Sequence, residues 1–129
     1  ALGEAGLGLD RALQVDAESS EDAGHAAARE LIARGARFDA VFAASDLIAL
    51  GAIRALHEHG LRVPEDVAVV GFDDIAMARF CNPPLTTVYQ DTARAGELLV
   101  DTLLKRIHEQ PAESAMLPAK LVVRRSSGA

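Results

Sequence analysis

Two short apolar runs, each closed by a polar pair, constrain this chain more than any other feature. The first is Ala40-Val41-Phe42-Ala43-Ala44, closed by Ser45-Asp46. The second is Val67-Ala68-Val69-Val70-Gly71-Phe72, closed by Asp73-Asp74. Both are too short for a helix and neither alternates, so each reads as a strand covered on both faces. Between them Ser45 caps a helix from Asp46 to His59, which Gly60 ends. A turn at Pro64-Glu65-Asp66 then feeds the second strand. Strand, helix, strand in this order is a parallel βαβ unit. In an open parallel sheet, ligands bind beyond the carboxyl ends of the strands. Ser45, Asp46, Asp73 and Asp74 all fall there. Asp73 and Asp74 are neighbours, and neighbours at a strand end point to opposite sides. They are therefore not an acid/base pair sharing one substrate atom. Asp73 is the candidate ligand contact and Asp74 a loop or cap carboxylate.

The flanking pattern extends the unit. Residues 1–6 read as the tail of a helix, and Leu13-Gln14-Val15 as a short strand. Ser19 is expected to cap a helix with Glu21 and Asp22 in its first turn, ended by Gly35. After Asp74 the chain turns irregular, and Pro83-Pro84 forbids a helix. Leu85 to Tyr89 is β-branched-rich and reads as a strand. Asp91 or Thr92 caps a long amphipathic helix whose apolar stripe is Ala95, Leu98, Leu99, Leu103, Leu104 and Ile107. Pro111 stops it, and Leu121-Val122-Val123 is a final strand. The Asp46–His59 helix is apolar almost all round its first turns. One side packs on the sheet. No further helix is evident to cover the other, so Leu47, Leu50 and Ile53 are expected at a two-fold homodimer interface, the alternative being an internal helix of a larger domain.

Composition removes several classes. The 129 residues carry 13 Lys+Arg against 19 Asp+Glu, a net −6, which disfavours phosphate contacts by the chain itself. A single Cys excludes an internal disulfide and a Cys-rich zinc site. His57 and His59, two apart on a helix, point about 200° from each other and make no joint metal site. No apolar run reaches the ~20 residues of a membrane span, and the start lacks the features of a signal peptide. Cys81 has no neighbouring base, and neither G-x-G-x-x-G nor G-x-x-x-x-G-K occurs. No catalytic residue, metal ligand or cofactor is therefore expected.

A series of ordered motifs is similar to a known family. Phe38-Asp39-Ala40-Val41-Phe42-Ala43-Ala44-Ser45-Asp46, Ala49-Leu50-Gly51-Ala52, Gly60-Leu61-Arg62-Val63-Pro64-Glu65-Asp66-Val67, Val70-Gly71-Phe72-Asp73-Asp74 and Pro84-Leu85-Thr86-Thr87-Val88 with Gln90-Asp91 resemble the effector-binding module of the lactose/galactose-repressor (LacI/GalR-type) transcription regulators. The resemblance runs from about Ser19 to Arg125. It implies an α/β fold, a Rossmann-like parallel sheet flanked by helices, forming one periplasmic-binding-protein-like lobe of two hinged around a small ligand. On this basis residues 1–90 are the C-terminal lobe. Residues 91–118 are a crossover helix and segment that belong with the other lobe, and residues 119–129 a return strand and tail. The resemblance implies that Asp73 hydrogen-bonds a sugar or nucleobase effector, with Ser45, Asp46 and Gln90 as further contacts and Phe80 on the rim. It also implies Leu50 and Cys81 at the dimer interface. The expected function is the effector-binding and dimerisation part of a cytoplasmic repressor that is not an enzyme. Operator DNA would be bound only through an N-terminal helix-turn-helix that this chain lacks. A sugar-transport solute-binding protein is the alternative, since the strand-end aspartates alone would fit it too.

Overall fold

A computed structural model describes residues 3–6, 8, 10–35 and 37–128. Its elements are α1 (Glu21–Ala33), β1 (Ala40–Phe42), α2 (Asp46–Glu58), β2 (Ala68–Val70), β3 (Thr87–Tyr89), α3 (Thr92–Ile107) and β4 (Lys120–Val122), with short 3-10 turns at Arg11–Leu13, Ala76–Arg79 and Arg125–Ser127. β1 and β2 are parallel, with Val41 opposite Val69. The chain beyond β2 continues the sheet: Gly71 N–H donates to Thr86 O and Asp73 N–H to Val88 O, both at 2.9 Å. These make parallel bridges at Val70–Thr86 and Asp73–Tyr89. β4 closes the run antiparallel to β3, with Val88 opposite Leu121. The spatial order is therefore β1, β2, β3, β4. The first three strands run the same way and end on one edge.

The core lies between α2 and this sheet. Leu56, Val69 and Leu85 are fully buried at its centre, with Ile53, Val63 and Val67 around them. Each such side chain contributes roughly 1.5–3 kcal/mol by leaving water. α1 packs across α2 through small residues, Ala28 against Ala52 and Ala55, with a glycine from each helix at the closest approach. A methyl group on Gly24 would stand 2.2 Å from Ile48 O, and one on Gly51 2.0 Å from Glu21 O. Two backbones can approach this closely only where both lack a Cβ. A hydrogen bond between His25 Nε2 and Glu58 Oε2, 2.7 Å, adds a second tie.

Several expectations change here. α1 covers the face of α2 that seemed to have no partner. Ile53 is a core residue, 5% exposed, so it has no surface to give to a dimer; Leu47 and Leu50 are half-buried on the remaining stripe. β1 is not covered on both faces: Phe42 is 69% exposed and lines an open cavity between β1 and α1. Leu13-Gln14-Val15 forms no strand, having no neighbour to complete a ladder; Arg34 instead donates to Ala12 O and Gln14 O. Ser20, not Ser19, caps α1, accepting from Ala23 N–H at 3.1 Å. The expected helix tail is a turn at Gly3–Gly6; Ala1 and Leu2 lie outside the described residues. Gly35 takes a positive φ, 67°, as expected.

α3 is capped by Asp91, whose carboxylate accepts from Arg94 N–H. None of its side chains is buried. Leu99 is 72% exposed and Ile107 63%, so the apolar stripe read from the sequence is present and bare.

The turn before β2 carries one strong charge pair. Arg62 donates to the Asp66 carboxylate from its backbone N–H, Nε and Nη2 at 2.8, 2.7 and 2.6 Å. These donors hold Asp66 down from 3.8 to about 2. A depressed carboxylate pKa stabilises the fold fully above its unfolded value, and the contribution disappears as pH falls from about 4 toward 2. The Asp66 carboxyl carbon is expected to titrate near pH 2 by NMR, and to rise only part of the way to the ordinary carboxylate value in Arg62→Ala, which keeps the backbone N–H donor.

Candidate functional site

Because β1, β2 and β3 are parallel, Ala43-Ala44-Ser45, Phe72-Asp73-Asp74 and Tyr89-Gln90 all emerge at one edge. The Asp73 side chain is exposed there. Its Oδ1 accepts from Gln90 Nε2 at 3.1 Å, so the structure brings these two candidates together. The other lone pairs of this carboxylate face water. They can accept from hydroxyl or ring N–H groups of a small molecule, which is the chemistry expected of the residue.

Asp74 diverges from its neighbour, as expected, although both take positive φ and neither follows strand pleat. Its side chain is 6% exposed and its Oδ1 accepts from Arg124 Nη2 at 2.6 Å; Arg79 stands 3.7 Å from its Oδ2.

Asp46 does not belong with Asp73. It is fully buried. Its Oδ1 accepts from Thr87 Oγ1 at 2.5 Å and its Oδ2 from Ile75 N–H at 2.9 Å. With both oxygens engaged and no solvent access, it frames the turn beneath the site and is not a ligand contact. The reason is local. Asp46 is the first residue of α2, and its N–H is held by Phe72 O at 2.8 Å, which seats it under the end of β2. The frame requires Gly71, whose methyl would stand 2.3 Å from Asp46 Oδ1.

Ser45 is 6% exposed. Its Oγ accepts from Ile48 N–H at 3.3 Å as the α2 cap and from Ser19 Oγ at 2.9 Å. The structure places it as a cap tied to the segment preceding α1. Phe80 ends the 3-10 turn after Asp74 and is 80% exposed; no hydrogen bond joins it to Asp73 or Gln90. Cys81 donates to Pro83 O at 3.1 Å and Ala78 O at 3.4 Å, and burial pushes its thiol pKa up. It is a neutral, half-buried thiol.

Three residues at or behind the edge escaped the sequence reading. Phe42 and Tyr89 end β1 and β3 with exposed rings, 69% and 40%. Their signal was present: an aromatic at the last position of a strand that ends in the candidate edge. Arg124 had no local signal, because its partner Asp74 lies 50 positions away. A cavity of about 460 Å³ lies between Leu13–Ala17, α1 and β1; its mostly apolar lining includes Phe38, Val41 and Ile48 and reaches the end of β1 at Phe42, Ala43 and Ala44. Among the described residues no cluster of His, Cys, Asp or Glu is arranged to hold a metal ion, and no helix is long and apolar enough to cross a membrane.

Comparison with known proteins adds the following. The periplasmic binding protein-like domain family matches residues 1–127. The chain is 44% identical over 128 residues to the HTH-type transcriptional regulator CelR of Thermobifida fusca, covering 98% of this chain and 38% of that protein. It is 38% identical over 128 residues to the HTH-type transcriptional repressor PurR of Pasteurella multocida, with the same two coverages. Among solved structures it is similar to a transcriptional regulator CelR–cellobiose complex, with a TM-score of 0.91 at 44% identity over 98% of this chain and 39% of that one. It is similar also to the lac repressor dimer bound to operator and an anti-inducer, with a TM-score of 0.80 at 38% identity over 85% of this chain and 39% of that one. The chain thus spans well under half the length of the relatives it matches.

Proposed function

The chain belongs to the periplasmic binding protein-like domain family, with LacI-type transcription regulators as its relatives, and on that premise we propose that it is the C-terminal half of such a regulator's effector-binding module. The effector is a sugar or nucleobase, and no bond is made or broken. Asp73 accepts hydrogen bonds from the effector's hydroxyl or ring N–H groups, Gln90 orients that carboxylate, and the Phe42 and Tyr89 rings flank the ligand's apolar faces. Closure of two lobes on the effector shifts the affinity of a separate helix-turn-helix for operator DNA. The regulator works in the cytoplasm. The bare apolar stripe of α3 fits residues 91–118 as a segment that packs with the other lobe. The outer stripe of α2, Leu47 and Leu50, together with Cys81, supplies the homodimer contact.

The observation that carries this reading is the exposed Asp73 carboxylate, held by Gln90 where three parallel strands end. Calorimetry of the full-length regulator carrying this chain, against sugars and purines, tests it. Asp73→Ala is expected to weaken binding roughly 10- to 100-fold, the range of a lost hydrogen bond to a charged group. Its melting temperature should change little, because the only side-chain partner Asp73 loses is the exposed Gln90. Unchanged affinity for every effector would remove Asp73 from the site.

A further inference from the structure

Asp73 and Asp74 are consecutive non-glycine residues with positive φ, 116° and 53°. Contact between Cβ and the backbone disfavours such conformations for L residues. They persist where the surroundings over-determine them. Around the Asp73 side chain little does so: its one partner is the exposed Gln90.

The Asp73 N–H is held by Val88 O at 2.9 Å, and the remaining restraint falls on its neighbour. Arg124 Nη2 donates to Asp74 Oδ1 at 2.6 Å, while Nη1 of the same guanidinium donates to Leu85 O at 2.8 Å. This fork, 14% exposed against the 6% exposed Asp74, ties the end of β2 to the entry of β3. Arg124 is itself fixed. Its N–H donates to Thr86 Oγ1 at 2.8 Å, and two residues on Ser126 Oγ donates to Val69 O at 2.6 Å. The Asp74 N–H is held by Thr87 Oγ1 at 3.3 Å. Asp74 is thus held from both its backbone and its carboxylate.

We propose that Arg124 and Asp74 are the positioning pair for Asp73. The fork keeps Asp74 in the left-handed region, and through the peptide the two aspartates share it sets the backbone of Asp73, so that the carboxylate faces outward beyond the strand ends. A charge-assisted fork suits this task because it fixes direction as well as distance. Arg79, on the exposed side at 3.7 Å, is too loose to replace it. The conformational part of the proposal stands without any ligand. Its consequence for binding rests on the reading of Asp73 as the effector contact.

The test follows the Asp73 backbone by NMR in the full chain, using its amide shift and its three-bond HN–Hα coupling, which φ sets. In Arg124→Ala the Asp73 coupling is expected to move to an extended-strand value, with Leu56 and Val69 unchanged. Arg124→Lys, a point charge instead of a fork, should shift it part of the way. Guanidinium ion at a few millimolar should return the Arg124→Ala signal to its wild-type position, a rescue that general destabilisation would not allow. Wild-type Asp73 signals in Arg124→Ala overturn the proposal. If that variant does not fold, an unchanged coupling in Arg124→Lys overturns it equally. Calorimetry with cellobiose, D-ribose and hypoxanthine on the full-length regulator separates the two readings. Arg124→Ala is expected to weaken binding roughly 10-fold through lost preorganisation. Loss of binding in Asp73→Ala with wild-type affinity in Arg124→Ala sinks the positioning role alone. Wild-type affinity in Asp73→Ala sinks the reading of the site, and the coupling still decides the proposal.

Discussion

Gly51→Ala is expected to destabilise the fold by about 3 kcal/mol, where the same change in an open helix stabilises. In a solvent-exposed helix, alanine gains about 1 kcal/mol over glycine. At Gly51 the added methyl meets Glu21 O at 2.0 Å and His25 N at 2.6 Å. These are backbone atoms of α1, so no rotamer change relieves the clash and the helix itself must move. Overpacking of this kind costs typically 1–3 kcal/mol, and more where the obstacle is rigid. The melting temperature should fall by about 10–15 °C. Gly96→Ala in α3 is the paired control: nothing lies within 4 Å of the place its methyl would take, so it should stabilise slightly. Opposite signs in the two variants, measured by thermal melting, verify the glycine crossing; the same sign in both would refute it.

Asp46→Ala should be the second severe substitution. It leaves the Thr87 hydroxyl and the Ile75 N–H without partners in a site closed to water. Two orphaned donors at the cost of an unmade hydrogen bond to each amount to roughly 3–5 kcal/mol. Asp46→Asn keeps an oxygen for Ile75 N–H and an amide for Thr87 Oγ1, so it should recover about half of that. Urea unfolding measures both, as a lower midpoint with an unchanged slope. A mild Asp46→Ala would mean that water reaches the carboxylate.

The contrast between Asp46 and Asp73 marks where sequence reading stops. Both close an apolar run, and both lie at the carboxyl end of a parallel strand. What separates them is Thr87, 41 positions from Asp46, and the space left by Gly71; neither is a local signal. The opposite directions of Asp73 and Asp74 match the sequence expectation but not its reason: both take positive φ, 116° and 53°, so backbone rotation and the Arg124 contact, not strand pleat, separate them. The identity of the group that holds Asp74 was not legible, because Arg124 arrives from the far end of the chain. The strands Ala40–Phe42 and Ala68–Val70 could be read because they are apolar throughout, although β1 is largely exposed. Leu13–Val15 is also a short apolar-flanked run but needs a neighbour to become a strand. The one-residue error at the α1 cap came from two adjacent serines, either of which satisfies the local rule. The cover that α1 gives α2 did have a signal, in Gly24 and Gly51. A glycine inside a helix costs stability against alanine, so its presence marks a close approach.

The rings of Phe42 and Tyr89 carry no hydrogen bond among the described residues and take no part in the frame that Asp46, Gly71 and Thr87 make. Replacing either ring changes what the edge touches without changing whether the edge forms. A library confined to these two positions would therefore vary the surface of this edge while the frame of Asp46, Gly71 and Thr87 stays in place.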